Sequence, residues 1–272
     1  MRKKLSLVLV LIFLFTSVLP AFAGEVKTFG FDDYRHRENT VNGTMLYPFW
    51  YHDGGRSYSQ PLILPGSKWG LIGKVVITVE GNVLYGYLVP DTPPESFSPI
   101  TPAWSVQLDG NEPTTSHPTL LEKNGKKYVY IGTYSPYLDI VDITNFNNVN
   151  QGSLISRPSP LATDITSAPL ILNWEGHEII VNTTGNSGKI FIVTDPLDNF
   201  KNNDFYIDIG SGRTSSSPAP VAGGTAFAVG LDCGFQTHGE LRLYYLDDIL
   251  SEDSSGKTVC GLNPTTKAFA ER

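Results

Sequence analysis

The sequence predicts an all-β protein assembled from four-stranded antiparallel units, about four of them, and three observations carry that expectation. Past residue 23 the apolar residues come in short β-branched and aromatic runs bounded by turn residues, such as Lys127 to Thr133 and Lys189 to Thr194. The 26 glycines and 19 prolines of the chain supply the turns between such runs. A Ser-x-Pro tripeptide recurs ahead of four of them, and no helical periodicity longer than a turn near Asp247 to Leu250 competes with this pattern.

Taken in chain order, residues 1–23 are expected to be a cleavable signal peptide. Arg2, Lys3 and Lys4 give a basic start, an apolar run extends from Leu7 to Phe15, and Ala21-Phe22-Ala23 offers small residues to a signal peptidase. The apolar run is shorter than the roughly 20 residues that cross a bilayer, which argues against a membrane anchor. Residues 24–56 form an N-terminal segment, expected to supply a ring-closing strand or a partial unit. Its aromatic cluster, Tyr47, Phe49, Trp50 and Tyr51, is read as a packing strand rather than a platform for a sugar or an apolar ligand.

Residues 57–250 carry the repeat. Ser59-Gln60-Pro61, Ser116-His117-Pro118, Ser167-Ala168-Pro169 and Ser216-Ser217-Pro218 stand 57, 51 and 49 residues apart, each just before an apolar stretch. Second strands are predicted at Lys74 to Val79, Lys127 to Thr133, Ile179 to Thr183 and Thr225 to Gly230. Third strands follow at Val83 to Leu88, Tyr137 to Val141, Lys189 to Thr194 and Glu240 to Leu246, and three of them close on an Asp-bearing bend at Asp142, Asp195 and Asp247. Fourth strands fit Trp104 to Leu108, Ser153 to Ser156 and Phe205 to Ile209. Residues 251–272 are left as a tail or the start of a truncated unit.

Four strands per repeat of about 50 residues is the build of a β-propeller blade. The tripeptide suits the start of an innermost strand. Proline is tolerated at a first strand position and holds its predecessor extended, while a serine hydroxyl can satisfy turn backbone.

With the Tyr-rich strand Tyr128-Val129-Tyr130-Ile131-Gly132-Thr133 and the ending Pro102-Ala103-Trp104-Ser105-Val106-Gln107-Leu108, this pattern resembles the repeat of pyrroloquinoline-quinone-like (PQQ-like) β-propellers. The resemblance implies that Trp104 docks between neighbouring blades, and it brings PQQ and calcium into consideration as cofactors. The family's Ala-x-Asp-x-x-Thr-Gly-Lys-x-x-Trp signature is degenerate here, as Asp142 to Phe146 and Asp195 to Phe200 show, and there are no adjacent cysteines to stack a quinone. No cofactor residue is carried over. Related propellers close with seven or eight blades, so a chain with four invites three accounts: a small ring, a truncated propeller, or an arc completed by a partner.

Charge and motifs narrow the function. Removing residues 1–23 takes three basic residues and moves the formal charge from −7 to −10, a balance that argues against nucleic acid. Cys233 and Cys260 could pair in an oxidising compartment or remain two thiols. His36, His52, His117, His177 and His238 are isolated from one another, with no zinc-binding spacing, and His117 draws interest only because it lies inside a Ser-x-Pro element. The acidic pairs Asp32-Asp33, Asp247-Asp248 and Glu252-Asp253 lack a calcium-loop pattern. Neither a phosphate loop nor a Gly-x-Ser-x-Gly elbow is present. No catalytic or metal residue is named.

The expected function is a noncatalytic binding or scaffold module, secreted or held at a bacterial cell surface or periplasm, whose partner is a protein, a glycan or a small molecule. A quinoprotein-type oxidoreductase and a truncated product without independent activity are the alternatives.

Overall fold

The computed structural model describes residues 50–51, 59–92, 98–109, 115–134, 137–158, 165–185, 188–197, 204–208, 214, 216–232, 239–252, 258–260 and 267–271. The expected signal peptide therefore lies outside the described residues. So does the N-terminal segment, apart from the backbone of β1 (Trp50–Tyr51).

Sheet I contains β2 (Leu62–Pro65), β3 (Lys74–Glu80) and β4 (Val83–Val89). After β5 (Ser98–Pro99), which pairs parallel with β1, the chain returns through β6 (Trp104–Gln107) to complete the order β2-β3-β4-β6. Sheet II is β7 (Thr119–Lys123), β8 (Lys126–Gly132), β9 (Tyr137–Asp142) and β10 (Leu154–Pro158). Sheet III is β11 (Leu170–Trp174), β12 (His177–Thr184), β13 (Lys189–Thr194) and β14 (Asp204–Asp208). Both are antiparallel meanders in which each strand pairs with its chain neighbours.

Sheet IV begins the same way with β15 (Ala219–Val221), β16 (Ala226–Asp232) and β17 (Gly239–Tyr245). A single helical turn, Leu246–Ile249, and the hairpin of β18 (Leu250–Glu252) with β19 (Thr258–Cys260) then intervene. The fourth strand is β20 (Lys267–Glu271), paired antiparallel with β17. The stretch 251–272, expected as a tail or a new unit, thus supplies the outer strand of sheet IV. Its signal is weak in the sequence because a bulge at Leu241/Arg242 and a long insertion separate it from its partner.

Local chemistry sets the hairpins. Asn124-Gly125 and Glu175-Gly176 occupy the central positions of two-residue turns, with φ of 53° and 76° in the first and 50° and 90° in the second. Such positive-φ pairs match the twist of antiparallel strands, and Asn-Gly is their favoured sequence.

Alternation along each central strand divides its side chains between a face toward the preceding sheet and a face toward the next. In sheet I, Val75, Ile77 and Val79 look forward onto sheet II, where Val129, Ile131 and Val141 receive them. Sheet II sends Tyr128, Tyr130, Leu138 and Ile140 forward against Ile180, Phe191 and Val193 of sheet III. Sheet III in turn sends Ile179, Val181, Ile190 and Ile192 against Phe227, Val229 and Tyr244 of sheet IV. Three buried clusters therefore join four sheets in series. Each fully buried aliphatic contributes about 1.5–3 kcal/mol, so these interfaces outweigh single net hydrogen bonds of about 1 kcal/mol.

Trp104 of β6 sits in the first interface, 6 % exposed, with its ring edge-on to Phe146 of sheet II at 5.7 Å. It covers Gly86 of β4, its cross-strand partner, and a methyl group at Gly86 would overlap the indole.

Candidate functional site

The Ser-x-Pro tripeptides lie side by side along one seam. The Ser116 hydroxyl accepts the amide of Gly132 at 3.0 Å in its own second strand and donates to the Ser167 carbonyl of the next tripeptide at 2.7 Å. Ser167 accepts the amide of Thr183 at 2.8 Å, and the Thr183 hydroxyl donates to the Ser216 carbonyl at 2.7 Å. Thr119 donates to the Pro169 carbonyl at 2.9 Å, and the Ala168 amide donates to Ser217 Oγ at 3.0 Å. In the first pair, the Gln60 amide donates to His117 Nδ1 at 2.9 Å. His117 therefore links two units. The tripeptide prolines leave amides out of this seam where none is needed.

A second seam runs through two tryptophans that sequence reasoning missed, one of them ending on the Asp247 bend that it had singled out. Trp69 donates its indole N–H to the Ile143 carbonyl at 2.7 Å, and Trp174 donates to Asp247 Oδ1 at 2.7 Å. Both tryptophans stand at the hairpin after a first strand, and both reach the bend after the third strand of the following sheet, 74 and 73 residues on. The recurrent Asp bends are structural in the same sense. Asp142 caps its own turn by accepting the Thr144 amide at 2.9 Å, and Asp195 accepts the Glu178 amide at 3.0 Å and pairs with His177 Nδ1 at 2.5 Å. The 73-residue spacing of Trp174 and Asp247 carried the signal, but it is visible only once the units are aligned.

One polar groove of about 350 Å³ opens at the β9–β10 connection, lined by Asp142, Thr144, Asn145, Asn148, Gly152, Ser153 and Ile155. Its walls are fixed from below. Buried Phe146 anchors the short helical turn Phe146–Asn148, which leaves Asn145 and Asn148 exposed at the rim. Asn150 caps the next turn, its Oδ1 accepting the Gly152 amide at 2.8 Å while its backbone N–H donates to Ser153 Oγ at 3.3 Å. The lining combines a carboxylate, two amides and two hydroxyls with one aliphatic side chain, of which Asp142, Thr144 and Ser153 also hold backbone: Thr144 Oγ1 accepts the Lys127 amide at 2.9 Å and Ser153 Oγ accepts the Asn150 amide. The run from Asp142 to Asn150 with its four asparagines advertised a polar loop, but not that the loop is concave.

Among the described residues, Asp139 on β9 is an acidic side chain pressed fully into an interface. Burial raises its pKa from 3.8 to about 7, against the opposing pull of the Ser156 hydroxyl and of the Asp109 amide, which donates to Oδ2 at 2.7 Å. It faces the loop after β6 rather than the groove, so it belongs to the packing of sheet I on sheet II.

Among the described residues no group of three or more His, Cys, Asp or Glu is placed to hold a metal. The quinone that the sequence resemblance raises does not fit the residues present: Trp104 is buried against Gly86 and Phe146, and adjacent cysteines are lacking. Cys233, His36, His52, His238, Asp32, Asp33, Asp253, Tyr47 and Phe49 lie outside the described residues, as do the side chains of Trp50, Tyr51, Glu252 and Cys260. Asp247 and Asp248 are exposed on the helical turn, and no helix among the described residues is long and apolar enough to cross a membrane. No family model matches the chain, and the curated proteins hold no match to it.

Proposed function

We propose that this chain is a noncatalytic, extracytoplasmic binding module of a bacterial cell surface, built as a PQQ-like β-propeller or an arc of one, with the Asp142–Asn148 groove as its ligand site. The seam carries this reading. The recurring side chains of Ser116, Ser167 and Ser216 are committed to hydrogen bonds that hold strands and neighbouring units, so the repeated motif serves architecture and the irregular groove is left for recognition. The groove offers no imidazole beside its hydroxyls to activate a nucleophile. Exposed Asn145 and Asn148 at its rim each carry a donor and an acceptor that can meet the hydroxyl groups of a glycan, while Asp142, Thr144 and Ser153 hold the loop beneath them.

Calorimetric titration of the purified chain with bacterial surface polysaccharides tests the proposal. Replacing Asn145 and Asn148 together with alanine is expected to weaken binding at least about tenfold, since each lost hydrogen bond to a neutral partner is worth about 0.5–1.5 kcal/mol. Unchanged binding, or none by the parent chain, overturns the groove assignment. A visible absorption band from bound quinone, with dye-linked oxidation of an alcohol, decides for the oxidoreductase alternative. A broad, uncooperative melt with dye uptake points to an incomplete product.

A further inference from the structure

The repeat sets the same two positions against each other at every joint between sheets. The residue after each tripeptide proline pairs across its hairpin with Ile77, Tyr130, Val181 and Ala228 in sheets I to IV. Alternation turns these residues forward and turns those that follow them, Thr78, Ile131, Asn182 and Val229, rearward. Between sheets I and II the two positions hold Ile77 and Ile131, both in the first buried cluster. Between sheets III and IV they hold Val181 and Val229, again within one cluster. Between sheets II and III they hold Tyr130 and Asn182, each 0 % exposed.

Asn182 is the anomaly of this joint. Its surroundings are apolar: Ile180 on the same face of β12, Phe191 across the ladder, and Ile165, which bridges to Thr184. The Thr184 hydroxyl is spent on the Lys189 carbonyl at 2.9 Å. Among the described residues neither Oδ1 nor Nδ2 of Asn182 makes a hydrogen bond, and both atoms are closed off from solvent. Burying an amide without partners is costly, and Ile131 and Val229 show that an aliphatic side chain suits the position. The Tyr130 hydroxyl is buried at the same joint and is not bonded to the amide. Two polar groups brought to opposed positions without a direct bond call for a link that both donates and accepts. A phenol and a carboxamide carry no charge, and neither is open to solvent, so the link is small and neutral. Water meets those terms, since a buried water takes about three hydrogen bonds.

We propose that the joint between sheets II and III holds an internal water-binding site, in which ordered water bridges the side-chain amide of Asn182 and the hydroxyl of Tyr130. The site sets this joint apart from the two aliphatic ones, and a sheet carrying valine at the position of Asn182 is a poorer match for Tyr130. It holds whether or not the groove binds a glycan.

Cross-relaxation between water and protein protons, measured by nuclear magnetic resonance on the full chain, provides the test. In wild type the Asn182 side-chain amide protons are expected to exchange magnetisation with water that stays bound longer than the molecule takes to tumble. Tyr130→Phe is expected to weaken or abolish that signal and to raise the unfolding equilibrium constant about two- to tenfold, the weight of one neutral hydrogen bond. Asn182→Val, which copies Val229, and the double variant complete a cycle in which the two substitutions are coupled about fivefold in the unfolding constant.

A wild-type Asn182 amide that shows no bound water overturns the proposal, because the joint is then dry. A signal that survives Tyr130→Phe at full strength also overturns it, since the water then does not reach the hydroxyl, and so do additive effects of the two substitutions. Should Asn182→Val fail to fold, the wild-type signal and its loss in Tyr130→Phe decide alone, and both are required.

Discussion

Asp139 keeps its proton in the folded chain up to about pH 7, while in the unfolded chain it loses it near its ordinary value of 3.8. Between those values the folded state binds more protons, so the stabilisation is complete below about pH 4 and is lost as pH rises through 7. Asp139→Asn, which keeps an acceptor for the Asp109 amide, should flatten this dependence and melt higher than wild type at pH 8; thermal melts at pH 5 and 8 check it. Glu175 is a residue with a side chain at φ 50° in a turn that favours Asn or Gly. Glu175→Asn is expected to add about 0.5–1 kcal/mol to stability, read by denaturant midpoint. The buried seam serine separates from the exposed one in the same assay: Ser116→Ala should cost about 1–3 kcal/mol, because it strands the Gly132 amide and the Ser167 carbonyl, whereas Ser216→Ala leaves water to replace what is lost.

At the scale of elements, the joints between sheets matter more than the strands. Trp174→Phe keeps an aromatic ring in the third cluster but removes the indole N–H donated to Asp247 together with part of the buried ring system. A loss of about 1–3 kcal/mol is expected, and a double-mutant cycle with Asp247→Ala should show coupling that neither residue shows with a distant site. Gly86→Ala is expected to be worse than its size suggests, since the new methyl would displace Trp104 from its place against Phe146. Loss of near-ultraviolet dichroism with strand content retained would register that displacement. Strand positions were largely legible in the sequence because alternation and turn residues are local properties: β3, β8, β12 and β13 stand where Lys74, Lys127, Ile179 and Lys189 announced them. β20 was not, since its partner β17 lies beyond a helical turn and a hairpin. The groove escaped for a related reason, as concavity around Asn145 and Asn148 is made by buried Phe146 and by the Asn150 cap, not by the polar residues themselves.

For the whole molecule, the consequence of serial packing is that among the described residues no single core holds all four sheets. Each cluster is shared by two neighbours, so stability adds approximately as units and interfaces, as in other stacked repeats. Amide exchange should therefore be slowest in sheets II and III, which have neighbours on both faces, and faster in sheets I and IV. Uniform protection across β3, β8, β12 and β16 would show a single cooperative block instead. The Ser-x-Pro spacing revealed the number of units before their contacts were known. It did not reveal that the tripeptides touch, because hydrogen bonds between residues about 50 apart leave no local trace.

The late position of β20 has a consequence in time. Sheets II and III each complete their hydrogen bonding within one unbroken stretch of chain, so they can form as soon as that stretch is released, whether from a ribosome or through an export channel. Sheet IV cannot. Until residues 267–271 arrive, the outer edge of β17 remains without its partner strand, a backbone edge open to any passing strand. The folding of this chain is thus expected to be vectorial as far as sheet IV and to wait there, with β20 acting as the catch that closes a door already hung.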